Sequence, residues 1–173
     1  MTYLPDLGRP KGMPPRMGVM NPTDPNMNLM VTLTVCPAPQ YRSGPRMTSR
    51  DSHWMICWDI GLTGTGHTAQ RRCHIVQDPG VPHLTNWGVM TDAVTSREEA
   101  SKVSIPLKVM SLAQRQALEK IANSAPVRAP DGKWNCQDWC LEVMQQAVKQ
   151  GLLTASEIKA ATGQAWTVQP IPV

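Results

Sequence analysis

The run His53-Trp54-Met55-Ile56-Cys57-Trp58-Asp59-Ile60 constrains the fold of this chain more than any other stretch. Its β-branched and aromatic content reads as a strand. A period of two puts Trp54, Ile56, Trp58 and Ile60 on one face and His53, Met55, Cys57 and Asp59 on the other. The first face is apolar and belongs to a core. His53 points to whatever covers the opposite side.

Other strands surround it. Met30-Val31-Thr32-Leu33-Thr34-Val35-Cys36 is β-rich and closed by Pro37 and Pro39. Residues 61–66 read as a hairpin connection, and the return strand covers about 68–78 until Asp78-Pro79-Gly80 turns the chain. Residues 82–94 fit neither period, with Trp87 as their anchor. Residues 102–109 form a last strand near a sheet edge, because Pro106 cannot donate to a ladder. After it the period changes. Ser111 caps a helix over 112–124, with Leu112, Leu118 and Ile121 on one side. A second helix covers 136–150 and buries Trp139, Cys140, Val143, Met144, Ala147 and Val148 until Gly151 stops it. A third covers 155–161, capped by Thr154 with Glu157 three residues on. The fold class is α+β, a small antiparallel sheet packed against helices.

Residues 1–29 alternate Pro, Gly, Met and Asn, as in Pro14-Pro15 and Asn21-Pro22-Thr23-Asp24-Pro25, which prevents both helix and continuous ladder. They read as an extended or flexible arm on a single domain of residues 30–173. An ordered arm has to lie on its own domain or on a partner, and a homodimer through the arm is one such arrangement. A chain of 173 residues fits one domain, and with no Phe and two Tyr its bulk comes from eleven Met and six Trp.

The net charge of +4 is spread out. Arg9, Lys11 and Arg16 are interrupted by Pro and Gly, and Arg71-Arg72 is the one adjacent basic pair. No basic stripe interleaved with aromatics is present, so nucleic acid is not an expected partner. Five Cys, an odd number with no framework spacing, point to reduced thiols. No leader or membrane span is read, and a cytoplasmic protein without a membrane partner is the expectation. No motif calls for a cofactor.

Chemistry concentrates at Asn135-Cys136-Gln137-Asp138, where a loop becomes a helix. Unsatisfied N–H groups and the helix dipole favour an anion there, which lowers a thiol pKa and offers donors to a developing oxyanion. Cys136 is therefore the candidate nucleophile. A thiol works best beside a base whose tautomer a third group fixes. His53, opening a strand in a polar turn after Ser52, is the best base, and His74 or Asp78 on the paired strand can orient it. Trp134, Asn135 and Gln137 are the candidate substrate-binding residues. His67 and His83 read as exposed loop residues and Cys140 as core. A zinc site drawing on Cys57, Cys73, His74, Cys136 and Cys140 lacks the knuckle spacing of structural sites, so no metal is expected.

His53-Trp54 on a strand followed by Asn135-Cys136 at a helix start resembles the circularly permuted papain-like superfamily, including the lecithin:retinol acyltransferase-like and NlpC/P60-like proteins, in which His precedes Cys. Lys133-Trp134-Asn135-Cys136-Gln137-Asp138-Trp139, with the helix running to Gly151-Leu152-Leu153, is similar to small fungal proteins with His-Trp and Trp-Asn-Cys-Gln motifs. The resemblance spans roughly residues 31–153. It implies a permuted papain-like fold, Cys136 as nucleophile, His53 as base and His74 at the third position. If the helix bearing Cys136 packs on the sheet face carrying His53, the thiol and imidazole can meet although more than eighty residues separate them. Gln137-Asp138 stands where the acyltransferases have Glu-His, and no hydrophobic C-terminal anchor follows, which argues against a lipid substrate. The function expected is a thiol-dependent acyl-transfer enzyme, a hydrolase or transferase acting on an amide, ester or thioester of a small molecule or peptide. A non-catalytic interaction protein on the same fold, or a small-molecule cyclase or isomerase using the pocket, are the alternatives.

Overall fold

The alternating run at 53–60 is the central strand of a five-stranded sheet. The structure is a computed structural model that describes residues 2–11, 13–14 and 22–173. Met1, Gly12 and residues 15–21, including Pro15, Arg16 and Asn21 of the arm, lie outside the described residues. In chain order the elements are β1 (Leu29–Cys36), β2 (Pro39–Gln40), β3 (His53–Leu62), β4 (Thr68–Cys73), β5 (Val76–Gln77), β6 (Leu84–Thr85), β7 (Met90–Ala93), α1 (Ser96–Ser101), β8 (Val103–Met110), α2 (Leu112–Ser124), α3 (Cys136–Lys149), α4 (Ala155–Ala165) and β9 (Ile171–Pro172). The sheet order is β7-β4-β3-β1-β8, with every pair antiparallel. The α+β class is therefore the observed one. β8 lies at an edge, as Pro106 predicts, and the register slips between Val31 and Thr32 opposite it.

The core lies on the face that bears Trp54, Ile56 and Trp58. These side chains join Trp139, Cys140, Val143 and Met144 of α3 and Leu118 and Ile121 of α2 in one buried cluster. Met55 and Cys57, on the other face of β3, are buried but outside that cluster. The condition on which packing would join thiol and imidazole is not met in that form: α3 packs on the tryptophan face of β3, not on the face carrying His53. The Cys136 end of α3 instead lies near the start of β3, where the Cys136 sulfur approaches the Ser52 carbonyl.

Three further boundaries differ from the expected ones. The return strand stops at Cys73 rather than near Asp78, because Ile75 turns into the core while the His74 ring meets His53. α1 falls where no helix was expected. Its six residues have no apolar face, and a capping box between Thr95 and Glu98 starts it. α4 continues past Gly163 because Ala161 and Ala165 are both buried.

The N-terminal segment lies on its own domain where it is described. Thr2 and Leu4 bond the backbone at Ala129 and Val127, Leu7 accepts from Asn86 N–H, and Gly8 accepts from the Thr85 hydroxyl. The backbone comes so close to Leu84 at Gly8 (φ +80°) that a Cβ there would sit 2.8 Å from the Leu84 carbonyl oxygen. Residues 2–8 thus tie the segment at β6, through Thr85 and Asn86, to the segment at Val127 and Ala129. No helix among the described residues is long and apolar enough to cross a membrane.

Candidate active site

The turn Ser49–Asp51 and Ser52 deliver His53 to the start of β3, and Asn135 caps the helix that starts with Cys136. A set of hydrogen bonds clasps these two pieces of chain. The Gln137 amide donates to the carbonyls of Ser49 (2.8 Å) and Ser52 (2.9 Å), and the Asn135 amide donates to the carbonyl of Arg50 (3.1 Å). The Arg50 guanidinium donates to Gln137 Oε1 (3.0 Å), to the Lys133 carbonyl (2.7 Å) and to Asp138. Asn135 Oδ1 accepts from Gln137 N–H and Asp138 accepts from Asn135 N–H, the capping box that starts the helix. His53 and Cys136, far apart in sequence, consequently line one cleft of about 360 Å³ together with Arg50, Trp134, Asn135, His83 and Arg128.

His53 Nε2 is 3.0 Å from His74 Nδ1. Of the two orienting groups considered, the one at hydrogen-bond distance is His74, while Asp78 accepts from the Trp87 indole at 2.7 Å. Comparison of the chain with protein-family models, curated proteins and solved structures finds no match.

The remaining expected site residues divide. Trp134 walls the cleft, its indole N–H donating to Glu142 (3.1 Å) and its ring lying 5.7 Å from the Arg128 guanidinium. Asn135 lines the cleft but commits its side chain to the cap and to Arg50. Gln137, read as a substrate-binding residue, is 0% exposed, and its side chain serves the clasp. His83, read as an exposed loop residue, lines the cleft and donates from Nδ1 to the Leu84 carbonyl. Arg50 was not singled out, because its role depends on three acceptors that only the fold assembles. Among the described residues no three His, Cys, Asp or Glu side chains are grouped to hold a metal.

The electrostatics overturn one reason for choosing Cys136. Its residue is only 8% exposed, and burial pushes the thiol up. The Trp54 N–H, the Arg50 charge and the N–H groups of Cys136 and Gln137 oppose that rise without cancelling it. The helix start stabilises the thiolate as expected, but the loss of water outweighs it. Cys140 is buried one turn on, donates to the Trp54 carbonyl (3.5 Å) and is core, as its position implies. Among the described residues no hydrogen bond joins Cys136 to His53; the sulfur lies 4.0 Å from the Ser52 carbonyl oxygen.

Burial, and then the charge of Arg72, lower the His53 pKa from 6.5 to about 4, with Glu98 acting in the opposite direction. His53 is therefore a neutral imidazole at pH 7, able to accept a proton. The shift carries a stability prediction. The folded pKa lies below the unfolded one, so the unfolded chain binds the proton first as the pH falls. This contribution to stability is complete above about 6.5 and is lost toward 4. In urea unfolding, the wild type should lose up to about 3 kcal/mol more than His53→Asn between pH 7 and pH 4, an upper bound for a ring that borders a cleft. Parallel losses in the two proteins would mean that His53 titrates normally.

Proposed function

We propose that the protein is a thiol-dependent acyl-transfer enzyme in which Cys136 is the nucleophile, His53 the general base and His74 the group that fixes the His53 tautomer. The observation that carries this reading is the cleft lined by both Cys136 and His53, with His74 Nδ1 3.0 Å from His53 Nε2.

Two imidazoles that share one hydrogen bond must assign one ring nitrogen as donor and the other as acceptor. With Nε2–H of His53 donated to His74 Nδ1, the lone pair on His53 Nδ1 is left for the thiol. The sulfur then turns from Ser52 to His53, and its proton passes to Nδ1 as the S–C bond to the substrate carbonyl forms. The carbonyl π pair moves to oxygen. Collapse of that intermediate expels the leaving group, which takes the proton from His53 Nδ1. Water attacking the acyl-enzyme gives hydrolysis, and an amine or hydroxyl gives transfer. Because the resting thiol and imidazole are both neutral, His53 acts during attack rather than by holding a preformed thiolate.

A second reading, a non-catalytic interaction protein, draws on the burial of Cys136 and the upward shift of its thiol. A cyclase or isomerase working through an apolar cavity suits the cleft less well, since Arg50, Asp51, His83 and Arg128 line it. Acyl-enzyme trapping separates these. The full chain is incubated with p-nitrophenyl acetate, quenched in acid and mapped by mass spectrometry. One acetyl group on Cys136, absent in Cys136→Ser and strongly reduced in His53→Ala, is the expected result. Acetylation of surface lysines alone would favour the interaction protein.

A further inference from the structure

We propose that Arg50 is the positioning residue of this site: its guanidinium fastens the turn that delivers His53 to the helix start that carries Cys136, and keeps a positive charge beside the thiol. The inference deepens the acyl-transfer reading and takes the role of the thiol from it.

Arg50 sits three residues before His53 and contacts each part of the helix start. It donates to the Lys133 carbonyl on the loop before the helix, to Gln137 Oε1 in the first turn and to the Asp138 carboxylate, while its own carbonyl accepts from Asn135. Its guanidinium also lies 6.0 Å from the Trp166 ring, which packs at 4.5 Å against Trp54, the neighbour of His53. Three acceptors on three residues suit a planar fork with five donors, which the compact ammonium of Lys cannot reproduce. Gln137 depends on this arrangement. Its amide nitrogen serves two carbonyls of the 49–52 turn, and Arg50 fills its remaining acceptor. After the Trp54 N–H, the Arg50 charge contributes most against the burial of the thiol.

The two roles separate in substitution. Arg50→Lys keeps the charge and loses the fork. Arg50→Gln loses both. Asp138→Asn keeps an acceptor for Asn135 N–H but removes the anion that neutralises Arg50. The experiment follows the rate of Cys136 alkylation by iodoacetamide against pH, site by site in the full chain, in these three proteins, the wild type and His53→Ala, with melting curves for each. The expected result is a titration midpoint that moves up in Arg50→Gln, moves down in Asp138→Asn and stays near the wild-type one in Arg50→Lys, which melts at a lower temperature than the wild type. At one fixed pH below the midpoint, alkylation slows several-fold in Arg50→Gln and quickens in Asp138→Asn.

A merely structural role for the clasp would displace Arg50→Gln and Asp138→Asn in the same direction, and that outcome overturns the inference, as does an Arg50→Gln profile coincident with the wild type. Should Arg50→Gln fail to fold, Asp138→Asn decides: alkylation no faster than in the wild type overturns the inference. The His53→Ala arm keeps the two ideas apart. An Arg50 effect with an indifferent His53→Ala sinks the acyl-transfer reading and leaves the inference standing. The converse sinks the inference alone, and a Cys136 that never reacts sinks both.

Discussion

His53→Ala should lower kcat/KM for an activated ester by about 10²–10⁴-fold, the range for loss of a positioned general base. The expected size follows from the protonation states at the site. Cys136 is a thiol whose pKa burial raises, so little thiolate exists near neutrality without help, and in the proposed reaction the neutral imidazole of His53 removes its proton. The pH profile provides a second test. With the His53 pKa held down to about 4, the acidic limb of kcat/KM should lie near that value, not near the 6.5 of an ordinary histidine. His74→Phe should cost less than His53→Ala, since it removes the group that fixes the tautomer and leaves the base in place. An His53→Ala variant that hydrolyses the ester at the wild-type rate would reject His53 as base.

Much of the frame was legible because it rests on short-range chemistry. The alternation at 53–60 picks out the core face of β3, and Ser111 and Thr154 mark helix starts through side chains that cap them. Pro106 marks an edge strand because it lacks an N–H. Residues 96–101 were illegible for the opposite reason. Their helix buries no apolar stripe and is held by Thr95 and Glu98, with Glu98 also accepting from Arg72 of β4. His74 was legible as a candidate, but its approach to the His53 ring was not, since that depends on where the chain leaves β4.

The thiol shows where local reasoning stops. A helix start argues for a lowered pKa whatever surrounds it, but the sign of the balance is set by burial, which is a tertiary quantity. The same holds for Gln137. In the sequence it looks like a polar residue next to Cys136, and in the fold its amide is the bolt between the helix start and the 49–52 turn. The site was thus readable as a set of residue types and not as a set of roles.

Asp24→Ala should destabilise the protein by about 3–5 kcal/mol, the cost of leaving a buried charge without its partner. Arg115 on α2 is 0% exposed, and its guanidinium donates to both carboxylate oxygens of Asp24 and to the carbonyls of Pro25, Met27 and Met110. Asp24 also accepts from the Trp58 indole on the core face of β3 (3.0 Å). A residue that reads as part of a Pro-rich arm is therefore the counter-ion of the core. Its removal orphans a guanidinium that is 0% exposed and an indole N–H together. Replacing both charges, as in Asp24→Ala with Arg115→Met, should cost less than Asp24→Ala alone, because an apolar side chain can occupy the site without an unpaired charge. Denaturant unfolding of the two variants and the wild type checks both statements. A loss under about 1 kcal/mol in Asp24→Ala would mean that the backbone carbonyls suffice for Arg115, and that the segment around Asp24 rests on the core without holding it together.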